Sequence, residues 1–292
     1  MIGIDWGTSS LRAYRFDDTG QITDRIEASR GLMTIPVGGY PEVLRETIGS
    51  WLPDRVLICG MAGSRQGWVE APYLPCPARP ADIGLATIAV PFEGLKIRIV
   101  PGLSDRDADG VPEVMRGEET QLAGIVATVP DGLVCLPGSH AKWARLSGGR
   151  IEGFSTYLSG EAFAAIRSGT ILGRMMPEAP PDPAAFARGV VRSGGHGHLL
   201  HQLFGVRSLG LFGELADTAS ASYLSGLLIG HEVRAAMPPG SRVTLVGAPS
   251  LCALYADAIV RCGGSATIAA LDAAPDAAAT GLFTIAGDVA WN

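Results

Sequence analysis

The pattern of the first thirty residues starts again about 130 residues later, and this repetition limits the fold more than any other feature of the chain. An apolar run, Ile2 to Asp5, enters the turn Trp6-Gly7-Thr8-Ser9-Ser10. An alternating stretch follows, Leu11 to Phe16, then the turn Asp17-Asp18-Thr19-Gly20, then Gln21 to Ala28. Alternation bounded by turn residues predicts three short strands. In the second half Gly132 to Leu136 is again apolar, and Pro137-Gly138-Ser139-His140 is again a glycine-hydroxyl turn. Lys142 to Leu146 and Arg150 to Tyr157 read as strands around the turn Ser147-Gly148-Gly149. With Gly7 placed on Gly138, Thr8 falls on Ser139 and Ala13 on Ala144, and Gly20 and Gly149 close the second turns. A solenoid would repeat every ~20–50 residues; two copies at this distance predict a duplicated domain with a cleft between the copies.

Helices are predicted over Pro41–Leu52, Glu118–Val129, Gly160–Ile171, Asp182–Phe204 (broken near Gly194-Gly195), Asp217–Ala236, Ser250–Cys262 and Ala277–Gly287, the last crossing back toward the first domain. Arg55–Cys59, Lys96–Val100 and Val243–Val246 read as buried strands, and Gly60 to Gly84 as a Gly/Pro-rich loop. Strands alternating with helices give an α/β class.

Composition removes several alternatives. The chain of 292 residues is 47% hydrophobic and 18% charged, with 23 Lys+Arg against 29 Asp+Glu and a net charge of −6. A disordered chain would carry more charge and less apolar mass, and a net negative surface argues against nucleic acid as a partner. No apolar run reaches the ~18 residues of a membrane span, and MIGIDWGTSS does not read as a signal peptide. Five dispersed cysteines without a C-x-x-C pair point to a reducing setting, so a cytoplasmic location is expected.

The repeated turns suit phosphate. Glycine followed by Thr or Ser between strands presents backbone N–H groups to an anion, with hydroxyls as extra donors. Gly7, Thr8 and Ser9 in one copy and Gly138 and Ser139 in the other are therefore candidate phosphate binders; the bland alternative for each is an ordinary β-turn. Asp5, just before the first turn, is a hard oxygen ligand suited to Mg²⁺. There is no Walker A loop, no G-x-S-x-G elbow and no complete Rossmann fingerprint. His196, His198 and His201 follow no zinc spacing and read as a polar face. Asp105, Asp107 and Asp109 alternate like a Ca²⁺ loop, but Arg116 stands where its closing Glu would be.

Asp5-Trp6-Gly7-Thr8-Ser9-Ser10 resembles the first phosphate motif of the actin, hexokinase and Hsp70 superfamily. LPGSHAKW (Leu136–Trp143) is similar to its second, and Val243–Pro249 to its adenosine motif. The resemblance is closer to the 2-dehydro-3-deoxygalactonokinase family, through DWGTSSLRAY, Gly60–Ala78 (GMAGSRQGWVEAPYLPCPA), Met115–Gln121 (MRGEETQ), LPGSHAKW, Tyr157–Glu161 (YLSGE) and Tyr223–Glu232 (YLSGLLIGHE). Ala141 departs from the second motif, where a hydroxyl residue is frequent.

This resemblance implies two duplicated ribonuclease-H-like domains of the actin-like ATPase type, with mixed sheets flanked by helices and an interdomain cleft whose closure excludes water. Residues 1–118 would carry the first phosphate turn and the sugar-acid site, and 119–292 the second phosphate turn and the adenosine site. It implies ATP, Mg²⁺ and a sugar acid as ligands, with phosphorylation of 2-dehydro-3-deoxy-D-galactonate at its C6 hydroxyl in galactonate catabolism. The sequence itself leaves the oligomeric state open, a homodimer being one assembly to test. His140, Gly247 and Ala248 join the nucleotide-binding set. The base implied at the start of the linking helix is Glu118 or Glu119, with Asp105 and Asp107 in reserve; the bland reading of Glu118 is an acid favoured by the helix dipole.

An anionic substrate needs a cation, and Arg65 leads, with Gln66 reading a hydroxyl and Trp68 walling the sugar acid; Arg12 or Arg116 are the substitutes, and the bland alternative is a surface Arg beside a core Trp. Lys142 reads as a strand lysine facing solvent. Competing readings are a nucleotide-gated scaffold of the same superfamily, a kinase for a related 2-keto-3-deoxy acid, a phosphatase, and a repressor, which would need a DNA-binding module before Ile2.

Overall fold

The computed structural model describes residues 1–36, 38–51, 54–269 and 277–291. Its elements, in order, are β1 (Ile2–Trp6), β2 (Leu11–Phe16), β3 (Ile22–Ala28), α1 (Tyr40–Ile48), β4 (Arg55–Gly60), β5 (Tyr73–Pro75), α2 (Pro80–Leu85), β6 (Ile88–Val90), β7 (Lys96–Ile99), β8 (Gly102–Arg106), β9 (Pro112–Met115) and α3 (Glu118–Ile125). They continue through β10 (Gly132–Leu136), β11 (Ala141–Ser147), β12 (Arg150–Tyr157), α4 (Ser159–Gly169), α5 (Pro183–Ser193), α6 (Leu199–Leu211), α7 (Asp217–Ala236), β13 (Arg242–Leu245), α8 (Pro249–Arg261), β14 (Ser265–Ile268) and α9 (Ala277–Ala286).

The duplication is written in the sheets. One has the order β3-β2-β1-β4-β7-β6 and another β12-β11-β10-β13-β14. Apart from the edge strand β6, the two orders match strand for strand. In the first, β1–β2 and β2–β3 are antiparallel while β1–β4 and β4–β7 are parallel; in the second, β10–β13 and β13–β14 are parallel. Hairpins join the antiparallel strands, and helical crossovers return the chain for the parallel ones. A small sheet, β5-β8-β9, completes the strands described.

Internal contacts separate two compact units. The first comprises Met1–Asp131, the outer hairpin Arg145–Phe154 and the C-terminal helix; the second comprises Gly132–Ala144 and Ser155–Ala269. The first unit's core holds Ile2, Ile4, Trp6, Leu44, Ile58 and Ile99. The helix α9 belongs to this unit, burying Leu282 and Ile285, so the expected return of the last helix is realised. The second unit has one core around β10, β13 and α8 and another around α6 and α7.

Several elements differ from expectation. The first helix ends at Ile48 and continues as a single 3₁₀ turn, Gly49–Trp51; Leu52, its expected end, lies outside the described residues. The segment read as a loop contains a 3₁₀ turn, Met61–Gly63, then β5 and α2. The expected helix Asp182–Phe204 is two helices, with Asp182 capping the first by accepting from the Ala185 amide at 2.9 Å. Gln202, fully buried on α6, donates through Nε2 to the carbonyls of Gly195, His196 and Gly197 in the loop between the two helices. The histidine-bearing loop is thus folded around a glutamine. No helix among the described residues is long and apolar enough to cross a membrane.

Candidate active site

In the first unit the strand pairing sets the environment of Asp5. Its partner across the antiparallel pair is Arg12, whose Nη2 donates to Asp5 Oδ2 at 2.7 Å. Arg12 is thereby committed to Asp5. The following turn closes with the Gly7 amide donating to the Ser10 carbonyl at 2.9 Å, leaving the Thr8 and Ser9 side chains exposed. Behind it runs Arg30–Met33: the Trp6 indole donates to the Arg30 carbonyl, and the amides of Leu32 and Met33 donate to the carbonyls of Gly7 and Thr8. A Cβ on Gly31 would stand 2.4 Å from the backbone of Thr8 and Ser9, so only glycine lets the brace lie flat against the turn.

The loop after β4 is tied by backbone bonds from Trp68 to Ala62 and from Ala71 to Gly63. Trp68 stacks on Tyr40, with centroids 5.9 Å apart at 13°. Arg65 and Gln66 are exposed, and the Arg65 guanidinium lies 3.9 Å from Glu70. Arg116 lies deeper. Its Nη2 donates to the Ala71 carbonyl at 2.7 Å and its guanidinium covers the Tyr73 ring at 4.4 Å. Its Nε and Nη1, and the hydroxyls of Tyr40 and Ser64, are buried without a hydrogen-bond partner among the described residues. Buried polar atoms are normally paired, so these three side chains mark the loop as a place where polar groups await a partner. Ser64 lies within the Gly60–Trp68 segment, and Tyr40, twenty residues before it, carries no signal of its own in the sequence.

Glu118 and Glu119 open α3. The Arg116 amide donates to Glu118 at 3.0 Å and the Gly117 amide to Glu119 at 2.6 Å. Glu118 is half-buried; Glu119 is fully buried and accepts from the Thr120 hydroxyl at 2.8 Å. Burial first, and the neighbouring Glu118 charge second, push Glu119 up to about 7. The reserve acids have structural duties. Asp105 accepts from the Phe154 amide at 2.9 Å, and Asp107 accepts from the amides of Asp109 and Val111 across its own turn.

In the second unit β10 and β13 run parallel, and their C-terminal ends carry the turns Pro137–His140 and Val246–Ala248. The Val246 amide donates to the Cys135 carbonyl, which keeps the two turns side by side. Ligands in α/β sheets gather at such strand ends. Ser139, His140, Gly247 and Ala248 are all exposed there. The start of α4 supports the first turn: Glu161 donates its amide to the Ser139 carbonyl at 3.0 Å and its carboxylate meets the His140 ring. A Cβ on Gly160 would stand 2.5 Å from the Gly138 carbonyl oxygen, a close approach that again only glycine allows. Lys142 does not face solvent as expected. It is 3% exposed, and its ammonium donates to the His140 carbonyl at 2.9 Å. Strand β11 is covered on both faces over residues 141–144, so the lysine stem is buried and its head caps the turn.

The duplicated strand order, with glycine turns at equivalent places, gives the chain the actin-like ATPase fold. Within that fold class, the chain belongs to the 2-keto-3-deoxy-galactonokinase family, whose model matches residues 5–285. It is 40% identical over 270 residues to a probable 2-dehydro-3-deoxygalactonokinase of Rhizobium meliloti (strain 1021), covering 88% of this chain and 87% of that one. It is 35% identical over 294 residues to the 2-dehydro-3-deoxygalactonokinase of Escherichia coli (strain K12), covering 99% and 98%. The crystal structure of a putative 2-dehydro-3-deoxygalactonokinase protein from Sinorhizobium meliloti superposes with a TM-score of 0.88 at 38% identity, covering 98% of this chain and 97% of that one.

Proposed function

We propose that this protein is a phosphotransferase that moves the γ-phosphoryl group of ATP to the C6 hydroxyl of 2-dehydro-3-deoxy-D-galactonate, giving the 6-phosphate in galactonate catabolism. The observation that carries this reading is the family match over nearly the whole chain. ATP phosphates are assigned to Gly7, Thr8 and Ser9 and to Gly138, Ser139 and His140, and adenosine to Gly247 and Ala248. Residues 1–118 thus supply the first phosphate turn and the sugar-acid segment, and 119–292 the second turn and the adenosine segment.

Asp5 offers one hard carboxylate, shared with Arg12. That suits Mg²⁺, which takes one or two carboxylates alongside phosphate oxygens and water, and which would neutralise charge on the transferred group. Glu118 is assigned as the base that accepts the proton of the attacking hydroxyl, because its carboxylate is partly exposed while that of Glu119 is enclosed. The sugar acid is assigned to Arg65, Gln66 and Trp68, with the Arg116 guanidinium as the inner cation. Phosphoryl transfer asks little more of a protein than such positioning and charge stabilisation.

We assign the protein to the cytoplasm. A homodimer is the assembly we infer, which sedimentation velocity checks. A coupled ADP-release screen over 2-keto-3-deoxy sugar acids and their aldonic parents tests the activity. Release dependent on 2-dehydro-3-deoxy-D-galactonate is expected. A preference for a different 2-keto-3-deoxy acid would correct the substrate. ATP hydrolysis indifferent to every sugar acid would replace the kinase with a nucleotide-gated ATPase.

A further inference from the structure

The carboxylate of Glu232, near the end of α7, is buried at 3% exposure in the core of the second unit. A carboxylate in such a place is strongly unfavourable unless its lone pairs are taken up. Here they are. The Trp143 indole donates to Oε1 at 2.8 Å, the Tyr255 hydroxyl to Oε2 at 2.8 Å, and the Ser159 side chain makes a further hydrogen bond.

These donors come from separate elements, and each element borders one of the two turns at the ends of β10 and β13. Trp143 is on β11, which leaves the turn Pro137–His140. Ser159 is the first residue of α4, immediately before Gly160, which lies against the Gly138 carbonyl, and two before Glu161, whose amide holds Ser139. Tyr255 is on α8, which begins at Pro249 directly after Gly247 and Ala248. An apolar residue of similar volume would fill the core without binding any of these donors, so the acid's distinctive contribution is to join the three elements at one point.

We propose that Glu232 is a positioning residue for nucleotide binding: by holding β11, α4 and α8 together it fixes the turn Gly138–His140 relative to Gly247–Ala248. The proposal rests on the reading that these turns hold ATP. It joins two segments, YLSGE and YLSGLLIGHE, whose separate roles the nucleotide and sugar-acid assignments leave open.

The test is steady-state kinetics on the full chain with thermal melts alongside. Glu232→Gln is expected to raise KM for ATP about tenfold, the size of a weakened hydrogen-bond set to a charged group, with KM for the sugar acid and Tm little changed. Ser159→Ala and Tyr255→Phe remove single links and should shift KM for ATP in the same direction by less; they carry the test if Glu232→Gln does not fold. A fall in Tm with both KM values unchanged, or equal rises in both, overturns the proposal by making Glu232 a packing residue. Gly138→Val separates the two readings. If it raises KM for ATP while the Glu232, Ser159 and Tyr255 variants do not, positioning by Glu232 fails alone; if Gly138→Val also leaves KM for ATP unchanged, the nucleotide assignment of the turn fails and takes the proposal with it.

Discussion

Glu118 and Glu119 are neighbours in sequence but occupy different surroundings, and their chemistry diverges accordingly. Glu118→Gln is expected to lower kcat at least ~100-fold, the lower range for losing a general base, while the affinity for ATP measured by calorimetry stays near that of the unaltered protein. Glu119 governs stability instead. Its carboxyl is raised from 4.5 to about 7 in the fold, so the folded state holds a proton that the unfolded chain gives up earlier. Its contribution is therefore fullest below about pH 4.5 and is lost as pH rises through about 7, by on the order of 3 kcal/mol. Glu119→Gln, a neutral mimic of the protonated acid, should raise Tm at pH 8 and flatten its dependence on pH between these values; an unchanged pH–Tm profile would show that the carboxyl titrates normally. The pair itself was legible in the sequence. Which member is enclosed was not, because that depends on the face α3 turns toward its neighbours. Arg116 was legible only as a substitute for Arg65, since nothing in a string of letters distinguishes a guanidinium with unpaired buried nitrogens from one at the surface.

At the scale of elements, the strands around the two turns stood out because alternation and apolar runs report burial directly. The strands β8 (GLSDR), β9 (PEVM) and β14 (SATI) did not. They are short and carry charges, a proline or small polar residues, and what stabilises them is pairing with a neighbouring strand, which their own composition does not report. The break between α5 and α6 was readable from Gly194-Gly195, but the buried Gln202 that shapes it was hidden within an apolar helical stretch. The segment Arg30–Met33 was not read as an element at all, yet it backs the first phosphate turn. Gly31→Ala places a methyl group against the Thr8 and Ser9 backbone, and the overpacking should cost ~1–3 kcal/mol. Melting curves should show the loss, and KM for ATP should rise with it. A variant of normal stability and normal KM would mean that the turn does not depend on its brace.

For the whole molecule, the repeat predicted two related sheets, and their matching strand orders show it. The division of the chain into compact units was less legible, because α9 and the outer β11–β12 hairpin group with the N-terminal segment. Leu282 on α9 is fully buried, and Leu282→Ala should cost ~2–5 kcal/mol in denaturant melts. The loss should fall on the first unit, with hydrogen exchange in β1 and α3 accelerated more than in β13. Uniform acceleration throughout would instead show a single cooperative unit.

The place of α9, after the whole of the second unit, also sets an order of events on the ribosome. Domains ordinarily acquire their structure in the sequence in which they emerge. Here the unit that is translated first lacks one of its helices until α9 has left the exit tunnel, whereas the residues of the second unit end at Ala269. The half made earliest is thus the last to be finished: all six strands of its large sheet are made by Ile99, but the surface of β1, β4 and α3 that α9 packs on waits for that helix.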